Sequence, residues 1–225
     1  EKFKTELATG QPEEYLAFLK MYARNPSNAL MAEMGIVVEC EVIAEPQGRV
    51  GRNVLRLLLA AIHGGSGCRI VYQSFSTPTA KKRTIWPHAL VWSGERWHVR
   101  AYDSQRQKYI DFALSRITSA SEEEESLPNH AGKDKDWLET LNIEVIPNPE
   151  LSASQQRVIV NEYGMRKRSD GYVWVVTLRC CLIPYFLHRY RLDGARNEKQ
   201  FRVFPTQRIV IRNYSTIEKY AFPAG

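Results

Sequence analysis

Six polar side chains in the middle of the chain have the types and spacing needed to bind an anion on one face of a sheet. Residues two apart lie on the same side of a strand, so the run 96–102 predicts an apolar face that starts at Trp97 and a polar face that contains Arg100. The side chains that could share this polar face are Tyr72, Ser74, His88, His98, Arg100 and Arg116. Guanidinium forks suit phosphate, hydroxyl groups donate further hydrogen bonds, and aromatic rings stack on bases.

Structural roles compete with ligand binding for several of these positions. Tyr72 is equally well explained as a rim residue whose hydroxyl finds a partner in the protein, and a single histidine such as His98 is more often structural. Trp97, on the opposite face, is expected in the core. The functional interpretation therefore depends on Arg100 and Arg116, because an arginine inside or beside an apolar barrel needs an anionic partner.

Charge is distributed unevenly along the 225 residues, which carry a net charge of +6. Residues 51–120 hold 11 basic and 3 acidic side chains, a balance of +8, whereas residues 121–136 hold 2 basic and 6 acidic side chains, a balance of −4. A local positive surplus favours nucleic acid or another polyanion as a partner. A solvated basic surface is the alternative.

The elements that must position these residues are a helix pair followed by short strands. Apolar spacing predicts helices over 12–24 and 51–63, the second apolar around most of its circumference and hence buried on two sides, with a strand at 36–43 between them. Four strand-like runs follow at 69–75, 84–92, 96–102 and 109–114. Strands at this spacing predict a small antiparallel barrel or sandwich, and Pro87 confines its own strand to an edge or a bulge.

After an acidic linker at 121–136, strands and helices alternate. The predicted elements are a strand at 142–147, a helix at 153–162, strands near 165–169 and 172–181, a helix at 183–192 and a strand at 207–212. Ser152 and Gln155 form a capping box that starts the first of these helices, and Asp170-Gly171 predicts a hairpin turn. The order β-α-β-β-α-β is that of a ferredoxin-like fold. The fold class is thus α+β, with predicted domains at 1–50, 51–120 and 137–225.

Several functional classes find no support in the sequence. The four cysteines form no C-x-x-C pair, so we expect reduced thiols in a cytoplasmic protein and no metal or other cofactor. No apolar run is long enough to span a membrane. An enzyme is disfavoured because the motifs of nucleophile elbows, zincins, P-loops and dinucleotide folds are absent, and the acidic residues Glu95, Asp103 and Asp111 have no evident partner.

Residues 69–117 resemble the WYL domain of bacterial transcription regulators. The resemblance is carried by the blocks I-V-Y-x-S (70–74), R-x-I-x-P-H-A-L (83–90), G-x-R-W-H-V-R-A-Y (94–102) and D-F-A-L-S-R-I (111–117). The family's Trp-Tyr-Leu triplet reads Trp97-His98-Val99 here, a form expected from regulators that accompany phage-defence islands. The blocks at 147–155 and 185–193 are similar to the domain that follows WYL in those proteins.

The resemblance implies an Sm- or SH3-like barrel that binds a regulatory ligand, commonly a nucleotide or nucleic acid, in a homodimer. Its ligand set would be Tyr72, Ser74, His88, Arg100 and Arg116, with His98 at the position where the triplet departs. A winged helix-turn-helix normally precedes this domain and contacts operator DNA. No recognition-helix pattern occurs in 1–50, and the chain starts at Glu1 without Met, so we expect that domain to lie outside this chain.

The leading hypothesis is therefore an effector-sensing and dimerising module of a transcription regulator. A stand-alone module that binds single-stranded nucleic acid is the alternative, since small barrels with basic and aromatic faces commonly have that function.

Overall fold

The computed structural model describes residues 12–23, 43, 48–76, 79–126, 131–193 and 207–221. The chain divides into two compact units, Glu1–Pro46 and Gln47–Gly225. In the first unit the structure contains helix α1 (Pro12–Ala23), as predicted, with Leu19 buried. The strand predicted at 36–43 lies outside the described residues apart from Ile43.

The second unit begins with helix α2 (Arg52–Gly64), which covers one face of the first sheet. Its buried residues follow helical spacing: Val54, Leu57, Leu58 and Ala61. Burial on two sides was expected, but Leu59 is exposed on the other side, so one apolar stripe is enough to hold the helix in place. Gly65 ends α2 in the left-handed region at φ 65°, where a side chain would be strained.

The first sheet has five antiparallel strands in the order β4-β3-β2-β1-β5. They are β1 (Ser66–Tyr72), β2 (Lys81–Trp92), β3 (Trp97–Asp103), β4 (Lys108–Ala113) and β5 (Ile117–Ser126). Among the described strands no pairing joins β4 to β5, so the sheet is open and is not the closed barrel that was expected.

Strand β5 occupies the start of the predicted acidic linker. Its position at the sheet edge explains why the charge pattern misled: β5 pairs only with β1 among the described strands, and an edge strand tolerates charged side chains. Pro87 behaves as predicted. The register between β2 and β3 shifts between Pro87 and Ala89, which makes His88 the extra residue of a bulge.

The core lies between α2 and this sheet, and it confirms part of the predicted alternation in β3. Val99 and Ala101 are fully buried in it. Trp97 was expected beside them, but it is 50% exposed. It is the first residue of β3, and its ring packs at the strand end on Trp92, with 5.4 Å between centroids. The prediction that this face of β3 packs into the core is confirmed by Val99 and Ala101, but the prediction that Trp97 is buried was wrong.

The second sheet has the antiparallel order β7-β8-β6-β9 and follows the predicted order of elements. A short helix α3 (Lys135–Leu138) precedes β6 (Thr140–Pro147), α4 (Ala153–Glu162), β7 (Arg166–Arg168), β8 (Gly171–Arg179), α5 (Ile183–Arg189), β9 (Ile209–Ile211) and α6 (Tyr214–Ile217). The capping box of Ser152 and Gln155 is present. The hairpin turn falls one residue earlier than expected, since Arg168 pairs with Gly171.

Aromatic residues at the end of α5 pack within this sheet's core. Phe186 packs 4.8 Å from Tyr190, and both lie within 5.7 Å of the Trp174 ring, measured between centroids. No helix of the described segments is long and apolar enough to cross a membrane.

Candidate functional site

Arg100 lies in the middle of β3, on the sheet face opposite the core, and is only 4% exposed. Its guanidinium binds Asp134 through two parallel hydrogen bonds, from Nε to Oδ2 at 2.6 Å and from Nη2 to Oδ1 at 2.8 Å. Its Nη1 donates to Oδ1 of Asp111 at 3.1 Å. The predicted polar face of β3 is real, but it is covered by protein and its arginine already holds two carboxylates.

Asp134 is brought to Arg100 by the segment that leads into the second sheet. Its side chain is 1% exposed, and it is the N-cap of α3, where Oδ1 accepts a hydrogen bond from the Trp137 backbone at 3.2 Å. An N-cap aspartate is fixed by its own helix. The carboxylate is therefore held from the C-terminal side of the chain while it binds the first sheet.

Two further side chains complete the cluster. His88, on the β2 bulge, lies with Nε2 2.9 Å from Oδ2 of Asp134. Because an ionised carboxylate only accepts, His88 Nε2 carries a proton in this contact. Tyr185 of α5 donates its hydroxyl to Oδ2 of Asp111 at 3.0 Å. We call His88, Arg100, Asp111, Asp134 and Tyr185 the Arg100 network; it joins the first sheet to elements of the second.

The charges in the Arg100 network stabilise one another against the effect of burial. Burial opposes ionisation of Asp134, yet hydrogen bonds from His88 and Arg100 lower its pKa to about 2. Burial likewise opposes the charged form of Arg100, but Asp134 and Asp111 raise its pKa. Burial and the charge of Asp111 raise the pKa of Tyr185. At neutral pH the guanidinium and Asp134 are thus charged and the phenol is neutral.

The six predicted ligand residues fall into three places. His88 and Arg100 meet in the Arg100 network. Tyr72 is half-buried, with its ring edge-on to Phe112 at 5.1 Å between centroids. Ser74 contacts Ser76, with 3.2 Å between hydroxyl oxygens. Arg116 is half-buried at the end of a short 3-10 helix, and its carbonyl accepts a hydrogen bond from the Gln73 backbone at 2.9 Å.

Tyr72, Ser74 and Arg116 are consequently backbone neighbours, and we call them the rim group. His98 lies apart from it on the covered face of β3. It is 7% exposed, and its ring is 5.2 Å from the ring of Tyr185. Burial lowers the pKa of His98, so the neutral imidazole is favoured in the folded chain.

Three residues of the Arg100 network were missed from the sequence: Asp111, Asp134 and Tyr185. Asp111 could have been found, since it lies directly opposite Arg100 in the register of β3 and β4 and cross-strand pairs of opposite charge are favourable. Asp134 and Tyr185 arrive through tertiary packing, which no local pattern indicates.

The described residues offer no alternative metal or thiol chemistry. No group of three or more histidine, cysteine or acidic side chains among them could hold a metal ion. Cys68, Cys180 and Cys181 are buried and unpaired. Burial raises the pKa of Cys68 to about 11 and that of Cys181 to about 12, which keeps both as neutral thiols.

Comparison with known proteins gives two family matches in tandem. Residues 53–122 match the WYL domain, and residues 140–217 match the C-terminal dimerization domain of the BrxR transcriptional regulator. Among solved structures, the proteasome accessory factor B/C (PafBC) of Arthrobacter aurescens covers 90% of this chain and 31% of its own, with 15% identity and a TM-score of 0.38, which is too low a likeness to inform the fold.

Curated relatives match most of this chain. The DNA-binding transcriptional repressor CapW of Stenotrophomonas maltophilia is 27% identical over 97% of this chain and 71% of its own length. The CapW repressors of Pseudomonas aeruginosa and Escherichia coli (strain KTE188) are 29% and 32% identical over 86% and 88% of this chain, which spans 63% and 64% of their lengths. The chain therefore carries a WYL domain followed by a BrxR-type C-terminal dimerization domain.

Proposed function

We propose that this chain is the effector-sensing and dimerising part of a bacterial transcription regulator, and that an anionic ligand on its WYL domain controls operator binding. The observation that carries the proposal is the Arg100 network, in which Arg100 of the WYL domain binds Asp134, the residue that caps the helix leading into the dimerization domain. The relatives named as DNA-binding repressors support a regulatory and non-enzymatic role, and we propose that the protein acts in the cytoplasm. Operator DNA would be contacted by a winged helix-turn-helix outside this chain.

Asp134 acts as an internal anion at the position where the family resemblance expects a ligand. The donors of Arg100 that face Asp134 are in use, so an external phosphate can reach Arg100 only by exchange with that carboxylate. The rim group is half-buried and more accessible, and Arg116 forms no ion pair with the described residues. We therefore infer two anion sites for a nucleotide or single-stranded nucleic acid: the accessible rim group, and Arg100 once Asp134 has been displaced.

This exchange supplies a route from ligand to dimer. Release of Asp134 from Arg100 would detach the N-terminus of α3 from the first sheet. Helix α3 leads directly into β6 of the dimerization domain. A ligand changes an equilibrium only when it binds one arrangement better than the other. Here the preferred arrangement would be the one in which Asp134 has left Arg100.

The homodimer belongs to the same proposal, since residues 140–217 match a dimerization domain. Exposed apolar side chains on this domain, Val158 on α4 and Tyr172 on β8, are candidates for the contact. Light scattering at micromolar protein should give twice the chain mass. A monomer mass across that range would contradict dimerisation by this chain.

Two fold assignments accompany the function. The strand order of the first sheet is compatible with an opened Sm- or SH3-like barrel, and the order β7-β8-β6-β9 with a ferredoxin-like sheet. We propose these two folds for the first and second domain, respectively.

The ligand proposal is tested by titrating cyclic nucleotides and single-stranded DNA of about 8 nucleotides into the wild type, Arg116→Ala and the control Arg157→Ala. Arg157 is an exposed arginine of α4 that matches the charge loss. Loss of charge-assisted hydrogen bonds should weaken binding by about tenfold or more in Arg116→Ala, with the control unchanged. Equal affinities for all three proteins would contradict the rim group as a ligand site. Binding by this chain without an effect on operator binding would instead favour a stand-alone nucleic-acid-binding module.

A further inference from the structure

A second candidate site lies between the turn that joins β2 to β3 and the last turn of α5. It is a cavity of about 230 Å³. The hairpin contributes Ser93, Glu95, Arg96 and His98 to its lining, and α5 contributes Tyr185, His188 and Arg189. None of the rim group lines it, so this cavity is separate from the ligand site proposed above.

The buried part of the lining contains an unsatisfied polar atom. Among the described residues, none forms a hydrogen bond with Nδ1 of His98, although this residue is only 7% exposed. Buried polar atoms in folded proteins are nearly always paired with protein, water or a ligand. The imidazole lines an open cavity, so a group entering that cavity could supply the missing hydrogen bond.

The mouth of the cavity is basic on balance, with Arg96 and Arg189 against the single carboxylate of Glu95. Arg189 is exposed and has no acidic partner within the described part of the chain, and Arg96 pairs only with its sequence neighbour Glu95, at 3.0 Å on the surface. Exposed pairs of this kind are weak and rearrange readily. At the same cavity mouth, Nδ1 of His188 lies 2.9 Å from Oδ2 of Asp193.

Gly94 lets Arg189 approach the hairpin backbone closely. A Cβ at this position would lie 2.1 Å from Nη1 of Arg189, and Gly94 adopts a φ of 93°. Any other residue would therefore be strained and would displace the guanidinium. The glycine turn thus places Arg189 beside Arg96 at the same cavity mouth.

We propose that this cavity binds a phosphate monoester, held by Arg96 and Arg189 and hydrogen-bonded to His98. Guanidinium pairs suit the planar oxygen geometry of phosphate. The volume is below the roughly 300–1,000 Å³ of pockets for drug-sized ligands, so the cavity can enclose the phosphate group while the rest of the ligand lies outside it. A free mononucleotide and the 5′-phosphate end of a nucleic acid share this chemistry. Since the site takes residues from both domains, its occupant would hold the two together.

The experiment is a calorimetric titration of the intact chain with AMP, adenosine, and a thymidine dinucleotide with and without a 5′-phosphate. We expect AMP to bind and adenosine not to bind. Binding of the phosphorylated dinucleotide at similar strength would identify nucleic-acid ends as a source, whereas its exclusion would identify free mononucleotides. Arg189→Gln should weaken AMP binding by about tenfold or more, and Arg157→Gln, an equal charge loss elsewhere, should leave it unchanged.

A second measurement is independent of any arginine variant. The NMR signals of the His98 ring should shift on addition of AMP and should not shift with adenosine. Equal binding of AMP and adenosine, no binding of AMP up to about 10 mM, or equal losses in Arg189→Gln and Arg157→Gln would each overturn the proposal. Arg116→Ala should retain AMP binding, so failure of the rim group as a ligand site is distinguishable from failure of this one.

Discussion

Two arginines in this molecule, Arg100 and Arg212, make nearly the same contacts in different surroundings. Arg100 lies between Asp134 and Asp111 at 2.6–3.1 Å. Arg212, which follows β9, lies between Glu144 at 2.8 Å and Asp170 at 2.6 Å. The side chains of Arg100 and Asp134 are 5% and 1% exposed, whereas those of Arg212 and Asp170 are 25% and 59% exposed. Hydrogen-bond lengths alone would rank the two networks as equals.

Burial separates them. Water screens the attraction around Arg212 and also solvates each charge if its partner is lost. The Arg100 network has little water to replace a missing partner, so each charge depends on the others. Similar contacts therefore form a solvent-exposed network in one place and a buried link between the two domains in the other.

The largest difference is expected between the variants Arg100→Met and Arg212→Met. Removing one partner of a buried ion network leaves uncompensated charge and typically costs about 3–5 kcal/mol, which Asp134 and Asp111 would incur in the first variant. The second variant should lose under about 1 kcal/mol. Urea unfolding of both proteins measures the two losses. Losses of equal size would show that burial does not distinguish the networks.

Acid should affect the buried network through Asp134. The pKa of this group is lowered from 3.8 to about 2 in the folded chain, so its stabilising contribution is complete above about pH 4 and is lost as pH falls through about 2. The loss should amount to up to about 2 kcal/mol. In urea unfolding between about pH 5 and pH 2, the free energy of unfolding should fall less steeply with pH in Asp134→Asn than in the wild type. Parallel declines in the two proteins would contradict this role of Asp134.

His98 should give a smaller effect at milder pH. Burial lowers its pKa below 6.5 in the folded chain, so the unfolded chain takes up a proton first and stability falls as pH drops below that value. Thermal unfolding at about pH 7.5 and pH 5.5 should show this decline in the wild type and a weaker one in His98→Gln. An unchanged decline in the variant would assign it to other groups.

The smallest effect is expected at Trp97, where exposure is again decisive. Trp97→Ser removes a half-exposed ring that packs on Trp92 and should cost no more than about 1 kcal/mol. Val99→Ala, two residues along the same face, removes fully buried methyl groups and should cost about 2 kcal/mol. A larger loss of unfolding free energy in Trp97→Ser than in Val99→Ala, measured in urea, would show that Trp97 contributes to the core as first predicted.

Local patterns predicted much of the fold because local physics determines those features. The capping box at Ser152 and Gln155 marked the start of α4, the bulge at Pro87 followed from its missing donor, and the alternation in β3 placed Val99 and Ala101 in the core. Errors arose where position within the sheet decides the outcome. Trp97 lies at a strand end, and β5 is an edge strand whose acidic residues resembled a linker.

The candidate site was less predictable for a related reason. Alternation correctly placed Arg100 on the polar face of β3, but it does not say whether that face meets solvent or protein. The segment carrying Asp134 covers it, and this depends on the path of the chain between the two sheets. The need of a buried arginine for a carboxylate was foreseeable, whereas the identity of Asp134 was not.

A double-mutant cycle between Arg100 and Asp134 tests most directly the claim that a buried ion pair couples the WYL domain to the dimerization domain. The free energies of unfolding in urea would be compared for the wild type, Arg100→Met, Asp134→Leu and the double variant. We predict a coupling energy of about 2–3 kcal/mol, with the double variant more stable than Arg100→Met because only Asp111, which still accepts a hydrogen bond from Tyr185, is then left without its guanidinium partner. Additive losses in the two single variants would contradict the account.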